Sequence, residues 1–283
     1  MHRRRLLVAT WCALLVVCAG CSGFPGGSSS PTTPATTGES PTTVAPTATA
    51  DGPTANATEQ LAPGLTANGV TDALALANAH RDVLTSNPFV QHTSLERTNG
   101  TERSFRRSTL RYANQSHWLW NVSASGVPLA LGVTSGAFVS YADGQKVVYR
   151  LEANGEVVYN VRRISGRADA PPVPPKRVLP ESVYGRDFLY TLFANADVTV
   201  EDTQGPAYRL TGTAEELVID QQTATNVEFT ANVSEAGLVR SLRLTYEQGN
   251  ATVERTLSVE LTDGDPAERP DWYDRAVNQT SGG

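Results

Sequence analysis

Lys146-Val147-Val148-Tyr149-Arg150-Leu151-Glu152-Ala153-Asn154-Gly155-Glu156-Val157-Val158-Tyr159-Asn160-Val161 is a pair of β-branched and aromatic runs hinged on Asn-Gly. A two-residue hairpin turn needs positive φ at its centre, which Asn and Gly tolerate best, so this stretch reads as an antiparallel hairpin. The same texture continues upstream over residues 89–98, 102–112, 118–125 and 137–141. Thr98-Asn99-Gly100 and Asp143-Gly144 supply turns between them. With 146–152 and 156–164 these segments make a first series of six strands. A second series of five follows at 197–201, 207–213, 226–233, 238–246 and 252–261. No helical pattern separates successive strands within either series, so each is an antiparallel meander rather than a set of βαβ units.

Helices flank the two series. Asp72 precedes an Ala/Leu-rich run over 73–84 as an N-cap, and Asn87-Pro88 stops it. Leu76, Ala79, Val83 and Leu84 are read as its apolar stripe. The Pro-rich break Ala170-Pro171-Pro172-Val173-Pro174-Pro175 divides the strand series. It leads to a second helix over 181–196, where Val183, Tyr184, Phe188, Leu189, Leu192 and Phe193 make a strongly apolar surface. A tail over 266–277, with Trp272 and Tyr273, is expected to dock as a short helix. The fold class is α+β, with about eleven antiparallel strands.

The N-terminus carries an address. Arg3-Arg4-Arg5 precede an apolar run from Leu6 to Val17 that ends in Cys18-Ala19-Gly20-Cys21. A positive start, a short apolar segment and a small-residue exit form a secretory signal. The run falls short of the roughly 20 apolar residues of a membrane-spanning helix. Cysteine directly after Ala-Gly makes residues 1–20 look like a lipoprotein signal, with Cys21 the lipidated first mature residue. The position three before it departs from the usual pattern, being Cys18 with Val17 one place earlier. Arg3-Arg4-Arg5-Leu6-Leu7 also resembles a twin-arginine export signal; the alternative is the general secretory route.

All three cysteines (Cys12, Cys18 and Cys21) lie in this segment. The rest of the chain therefore has no disulfide framework, no thiolate zinc site and no cysteine nucleophile. Residues 21–60 read as a lipidated cysteine followed by a disordered stalk. Of the 39 residues from 22 to 60, 26 are Ser, Thr, Pro or Gly. Such a composition cannot bury enough surface to offset chain entropy. A flexible coil of that length spans roughly 35 Å on average. A globular domain over 61–278 and a short tail at 279–283 complete the expected layout.

Charge and sequons narrow the surroundings. Without Arg3, Arg4 and Arg5 the net charge falls from −6 to −9, and Lys146 and Lys176 are the only lysines. An acidic chain with dispersed arginines lacks the basic patch that nucleic-acid phosphates demand, so nucleic acid is excluded as a partner. Asn-x-Ser/Thr sequons occur at Asn56, Asn99, Asn114, Asn121, Asn232, Asn250 and Asn278, candidate N-glycosylation sites on an exported protein.

No catalytic motif stands out. Beyond the signal the histidines are His80, His92 and His117, without H-E-x-x-H spacing, and each reads as a surface or structural residue. There is no G-x-S-x-G elbow and no phosphate-binding glycine loop. Glu215-Glu216 would face opposite ways on a strand, and Asp263-Gly264-Asp265-Pro266 reads as a turn. The chain is expected to be no enzyme, with no metal and no cofactor.

The order of elements resembles the lipoprotein-carrier fold of the LolA/LolB localisation factors and the mycobacterial LppX/LprG lipoproteins. The signal, the stalk and phrases such as Leu65-Thr66-Ala67-Asn68-Gly69-Val70-Thr71-Asp72 and Glu268-Arg269-Pro270-Asp271-Trp272-Tyr273 also look like a haloarchaeal exported lipoprotein family of unassigned function. The resemblance covers residues 61–278. It implies a strongly curved half-barrel with helices packed across its concave side, enclosing an apolar cavity for acyl chains. On that reading Tyr184, Phe188, Leu192, Phe193, Trp118 and Trp120 line the cavity, or else fill an ordinary core.

The expected protein is a monomer on the outer face of the cell membrane, held through a lipid on Cys21 and binding a lipid or lipoprotein ligand. The alternatives are a non-catalytic cell-envelope interaction domain or a hydrolase of unfamiliar type. Metabolic labelling with a lipid precursor is expected to mark the wild-type chain and not Cys21→Ser. Equal labelling of both would contradict the anchor.

Overall fold

The computed structural model describes residues 59–130, 132–163, 179–202 and 207–280. The signal, Cys21, Asn56, nearly all of the stalk and the Pro-rich break lie outside the described residues. In chain order the strands are β1 (Gln60–Ala62), β2 (Leu65–Thr66), β3 (Gly69–Val70), β4 (Phe89–Asn99), β5 (Glu102–Asn114), β6 (His117–Ala130), β7 (Val133–Asp143), β8 (Lys146–Ala153) and β9 (Glu156–Arg163). They continue as β10 (Asp197–Asp202), β11 (Ala207–Ile219), β12 (Gln222–Ser234), β13 (Val239–Gln248) and β14 (Ala251–Leu261). The helices are α1 (Ala73–Ser86), α2 (Arg186–Ala194) and α3 (Tyr273–Thr280), with a 3-10 turn at Glu181–Tyr184.

The expected α+β fold is present. One antiparallel sheet of eleven strands has the order β10-β11-β12-β13-β14-β4-β5-β6-β7-β8-β9, and it is not closed. The two meanders meet where β14 pairs with β4, from Thr252 opposite Thr98 to Leu261 opposite Phe89. Asn154 and Gly155 take φ of 54° and 78°, as the Asn-Gly hairpin requires. A small sheet, β1-β2-β3, was not anticipated from the sequence and takes in Gln60, assigned above to the stalk.

Cross-strand register sorts the side chains onto two faces. On the inner face, Phe89 of β4 stands beside Tyr112 of β5, Trp118 of β6, Ala142 of β7 and Val147 of β8. Leu84 of α1 and Tyr184 pack into that same cluster. The intervening residues Leu119, Tyr141, Val148 and Val161 face the other way, against Tyr273, Ala276 and Val277. The helices therefore divide: α1 and α2 cover the inner face, whereas α3 docks on the outer one. The tail helix begins at Tyr273, whose hydroxyl donates to Asp143.

Curvature follows from what shares a space. Trp120 of β6 and Leu217 of β11 line one cavity. Six strand spacings separate them, roughly 29 Å across a flat sheet, so the sheet curls around α2. A bulge helps. Between its pairings at Thr225 and Glu228, β12 carries one residue more than β13, and Asn226 there has φ of 51°. An extra residue in this conformation bends the strand. The bend turns the tip of the β11–β12 hairpin toward the helices, burying Leu217 and Ile219 while Val218 remains 61% exposed.

Two local readings are corrected. The second helix is not continuous over 181–196: Gly185, at φ 69°, separates the 3-10 turn from α2. A left-handed residue cannot propagate an α-helix, and glycine takes that conformation at least cost. On α1 the buried stripe is Leu76, Ala77, His80 and Leu84, rotated from the one read, with Ala79 and Val83 only half-buried. The cap itself holds: Asp72 Oδ1 accepts from the Ala75 amide at 2.9 Å.

Gly212 of β11 lies under the ring of Phe229, and a Cβ there would collide with two ring carbons and crowd a third. Phe229 is itself packed against Phe193 at 5.8 Å between centroids and cannot swing away freely. Gly212→Ala is expected to lower unfolding stability by about 1–3 kcal/mol, measured by urea denaturation. An unchanged midpoint would show that Phe229 has room to move.

Candidate functional site

Between α2 and the inner face lies a cavity of about 590 Å³. Its roof is the 3-10 turn and the near side of α2, including Tyr184, Phe188, Leu189 and Leu192. Its floor comes from β4, β5, β6, β13 and β14, and its side wall is the hairpin tip with Leu217 and Ile219. The roof is pinned to the floor where Gln91 Nε2 donates to the Val183 carbonyl at 2.9 Å. The Oε1 of Gln91 has no partner among the described residues.

Of the six aromatic and aliphatic residues singled out from the sequence, Tyr184, Phe188, Leu192 and Trp120 line this cavity. Trp118 and Phe193 do not. Trp118 is buried among Leu84, Phe89, Tyr112 and Val147, and Phe193 packs against Phe229 in the larger core. Leu217 and Ile219 were missed because no strand was read between 213 and 226. The Asp220-Gln221 turn takes φ of 52° and 66° without a glycine to announce it.

The lining is polar in a pattern. Four cross-strand rows run over the inner face of β14, β4 and β5, each row offset by two residues from the next. Phe89 and Tyr112 occupy the deepest, then Gln91 and Leu110, then Leu257, Thr93 and Ser108, and last Arg255, Leu95 and Arg106. Thr93 and Ser108 satisfy one another at 2.7 Å. Arg255 Nε donates to the Tyr246 hydroxyl at 2.9 Å, and its guanidinium lies 5.6 Å from the Phe188 ring centre. Asp220, on the hairpin tip, pairs with the same guanidinium. At the far end burial raises the Tyr112 and Tyr184 phenols, and the Glu181 carboxylate adds to the rise in each.

His80 fastens the roof from behind. Its Nδ1 accepts the Val239 amide at 3.1 Å, which fixes the proton on Nε2 of the neutral ring. That nitrogen faces the Tyr184 carbonyl without reaching hydrogen-bond geometry. His92 instead meets Thr109 on the outer face, and His117 meets Asp265 at 2.9 Å. Among the described residues no group of three His, Cys, Asp or Glu side chains is placed to hold a metal.

The sequons within the described residues avoid the cavity. Asn99 and Asn114 lie at strand ends, Asn250 in the turn between β13 and β14 and Asn278 on α3, all exposed. Asn121 and Asn232 are half-buried on the outer face, and Asn232 donates to Ser241 at 2.8 Å. No helix among the described residues is long and apolar enough to cross a membrane.

No protein family matches the chain by sequence, and no curated protein does. Solved structures do. The chain is similar to LprF from Mycobacterium bovis, at 12% identity over 70% of this chain and 96% of that one, with a TM-score of 0.37. It is similar to a LolA superfamily protein from Nitrosomonas europaea, at 10% identity, 71% and 98% coverage and a TM-score of 0.26. A third likeness is to a putative outer membrane lipoprotein-sorting protein domain from Vibrio parahaemolyticus, at 11% identity, 73% and 99% coverage and a TM-score of 0.25. At scores so low these likenesses add nothing to the reading of the site, which rests on the cavity itself.

Burial lowers the pKa of His80 from 6.5 to about 4, opposed by the Tyr184 carbonyl. The unfolded chain binds this proton first, so stability falls as pH drops from about 6.5 toward 4. The loss amounts to about 3 kcal/mol. Urea midpoints of wild type and His80→Gln across that range are expected to converge as pH falls. Parallel curves would show that His80 does not titrate within the fold.

Proposed function

We propose that this chain is an exported, lipid-anchored protein of the outer face of the cell membrane whose inner cavity binds the hydrocarbon chain of an amphiphile. The observation that carries the reading is the cavity. It lies between an eleven-stranded sheet and a short helix, and Leu189, Leu192, Phe188, Leu217, Ile219, Leu242 and Leu257 border it. Its 590 Å³ falls within the roughly 300–1,000 Å³ of small-molecule sites. A methylene takes about as much room as a water molecule, roughly 30 Å³, so the space holds on the order of 20 methylenes. That suits one long chain or two short ones and is small for a triacylated lipoprotein.

The roof is suited to opening. Gly185 joins the 3-10 turn to α2, and α2 is only nine residues long. Cys21 and the stalk would hold the mouth within reach of the membrane that supplies the ligand.

One observation favours a second reading, an interaction domain of the cell envelope. On β9, an outermost strand of the described sheet, Val157 and Val158 are 42% and 58% exposed. An apolar edge of this kind can accept a partner strand.

Native mass spectrometry with lipid extraction, on the full chain purified from its own host, separates the two. A stoichiometric co-purifying lipid is expected. A bare protein mass, unchanged after incubation with host membrane lipids, would overturn the carrier reading and favour the interaction domain.

A further inference from the structure

We infer that the cavity selects amphiphiles with an anionic headgroup, a phosphate or carboxylate held at one end by Arg255 and Arg106. The inference rests on the ligand-binding reading above and adds the chemistry of the ligand's polar end. Both arginines line the cavity. Arg255 on β14 and Arg106 on β5 flank Leu95 of β4 in a single cross-strand row. Two strand spacings separate their backbones, roughly 10 Å, with Leu95 between them. Arg97, one row further out on the same face, adds a third cation.

The two arginines are prepared differently. Arg255 is held in place: its side chain is 18% exposed, it bonds the Tyr246 hydroxyl, and it lies over the Phe188 ring. A guanidinium fixed in this way, at the end of an apolar space, presents its fork at little further entropic cost. Arg106 is exposed and has no carboxylate or hydrogen-bond partner among the described residues, whereas its neighbour Arg107 pairs with Glu96 at 2.6 Å. Asp220 occupies Arg255 from the hairpin tip, and its own side chain is 69% exposed. A carboxylate on a hairpin tip stands in for the ligand's anion and leaves when that anion arrives.

The rest of the cavity agrees in sign. Glu181 lies near Tyr112 and Tyr184, at the opposite end of the rows, and Asp187 is taken up by Arg186. From the Arg255 row to the row of Val259 and Gln91 is four residues, about 13 Å of strand. A chain laid along that length puts its polar end at the arginines and its methyl end toward Tyr184.

The test holds the chain constant and varies the head. Displacement of a neutral fluorophore, N-phenylnaphthylamine, from the full chain would be titrated with lysophosphatidylglycerol, lysophosphatidylcholine, palmitate and methyl palmitate. The anionic member of each pair is expected to bind at least about tenfold tighter, the scale of a charged hydrogen bond. Palmitate against lysophosphatidylglycerol separates a fatty acid from a phospholipid as the source. Arg106→Gln, which removes a side chain with no partner among the described residues, is expected to erase most of the preference. Asp220→Asn is expected to strengthen anion binding by freeing Arg255. Equal affinities within each pair, or an unchanged preference in Arg106→Gln, would overturn the headgroup assignment while the cavity reading stands. Displacement by none of the four would overturn both.

Discussion

The pairing of β14 with β4 joins residues 154 to 172 positions apart in the sequence, and both sides of the cavity depend on it. Ten consecutive register partners, from Thr252 and Thr98 to Leu261 and Phe89, fuse two local meanders into one sheet. Each meander forms from short hairpins, but neither has a complete inner face alone. The seam places Arg255 and Leu257 beside Leu95, Thr93 and Gln91, in the middle of the cavity floor. Both strands are central in the sheet, with a hydrogen-bonded neighbour on each side, so the seam is fixed by hydrogen bonding as well as by packing.

Around this seam the helices divide the work. α3 and Trp272 cover the outer face of β7, β8 and β9, with Trp272 stacked on Tyr159 at 6.0 Å. α1 stays against the inner face through Leu76, Ala77 and Leu84, and His80 ties it to β13. α2 buries Leu189, Leu192 and Phe193 in the larger core. Gln91 and Asn78 reach it or its preceding turn by single hydrogen bonds, the second from Arg186 at 2.8 Å. A nine-residue cover, joined to the turn before it through Gly185, stands beside a space for about 20 methylenes.

Much of the fold was legible because its signals are local. Asn154-Gly155, Asp72 and Pro88 each act within a few residues, and all three set the boundaries read from them. What was lost depended on distance. The hairpin tip at 214–225 was not read as strand, and its turn contains no glycine. Its burial of Leu217 and Ile219 comes from a bulge at Asn226 that no periodicity reveals. The candidate site was legible in part for the same reason: Trp120, Tyr184, Phe188 and Leu192 were named from apolar spacing. Trp118 and Phe193 share that spacing, and only tertiary packing puts them in the core. The arginines carried no signal at all, because the row Arg255-Leu95-Arg106 exists only once the seam has formed.

The central claim is that hydrocarbon enters the space beneath α2, and Trp120 is a reporter already in its wall. Quenching of tryptophan fluorescence by a brominated acyl chain measures that contact directly. The account predicts strong quenching in the wild-type chain, retained in Trp272→Phe and largely lost in Trp120→Phe. Quenching that is absent, or that disappears with Trp272 instead, would place the chain outside the cavity and contradict the account.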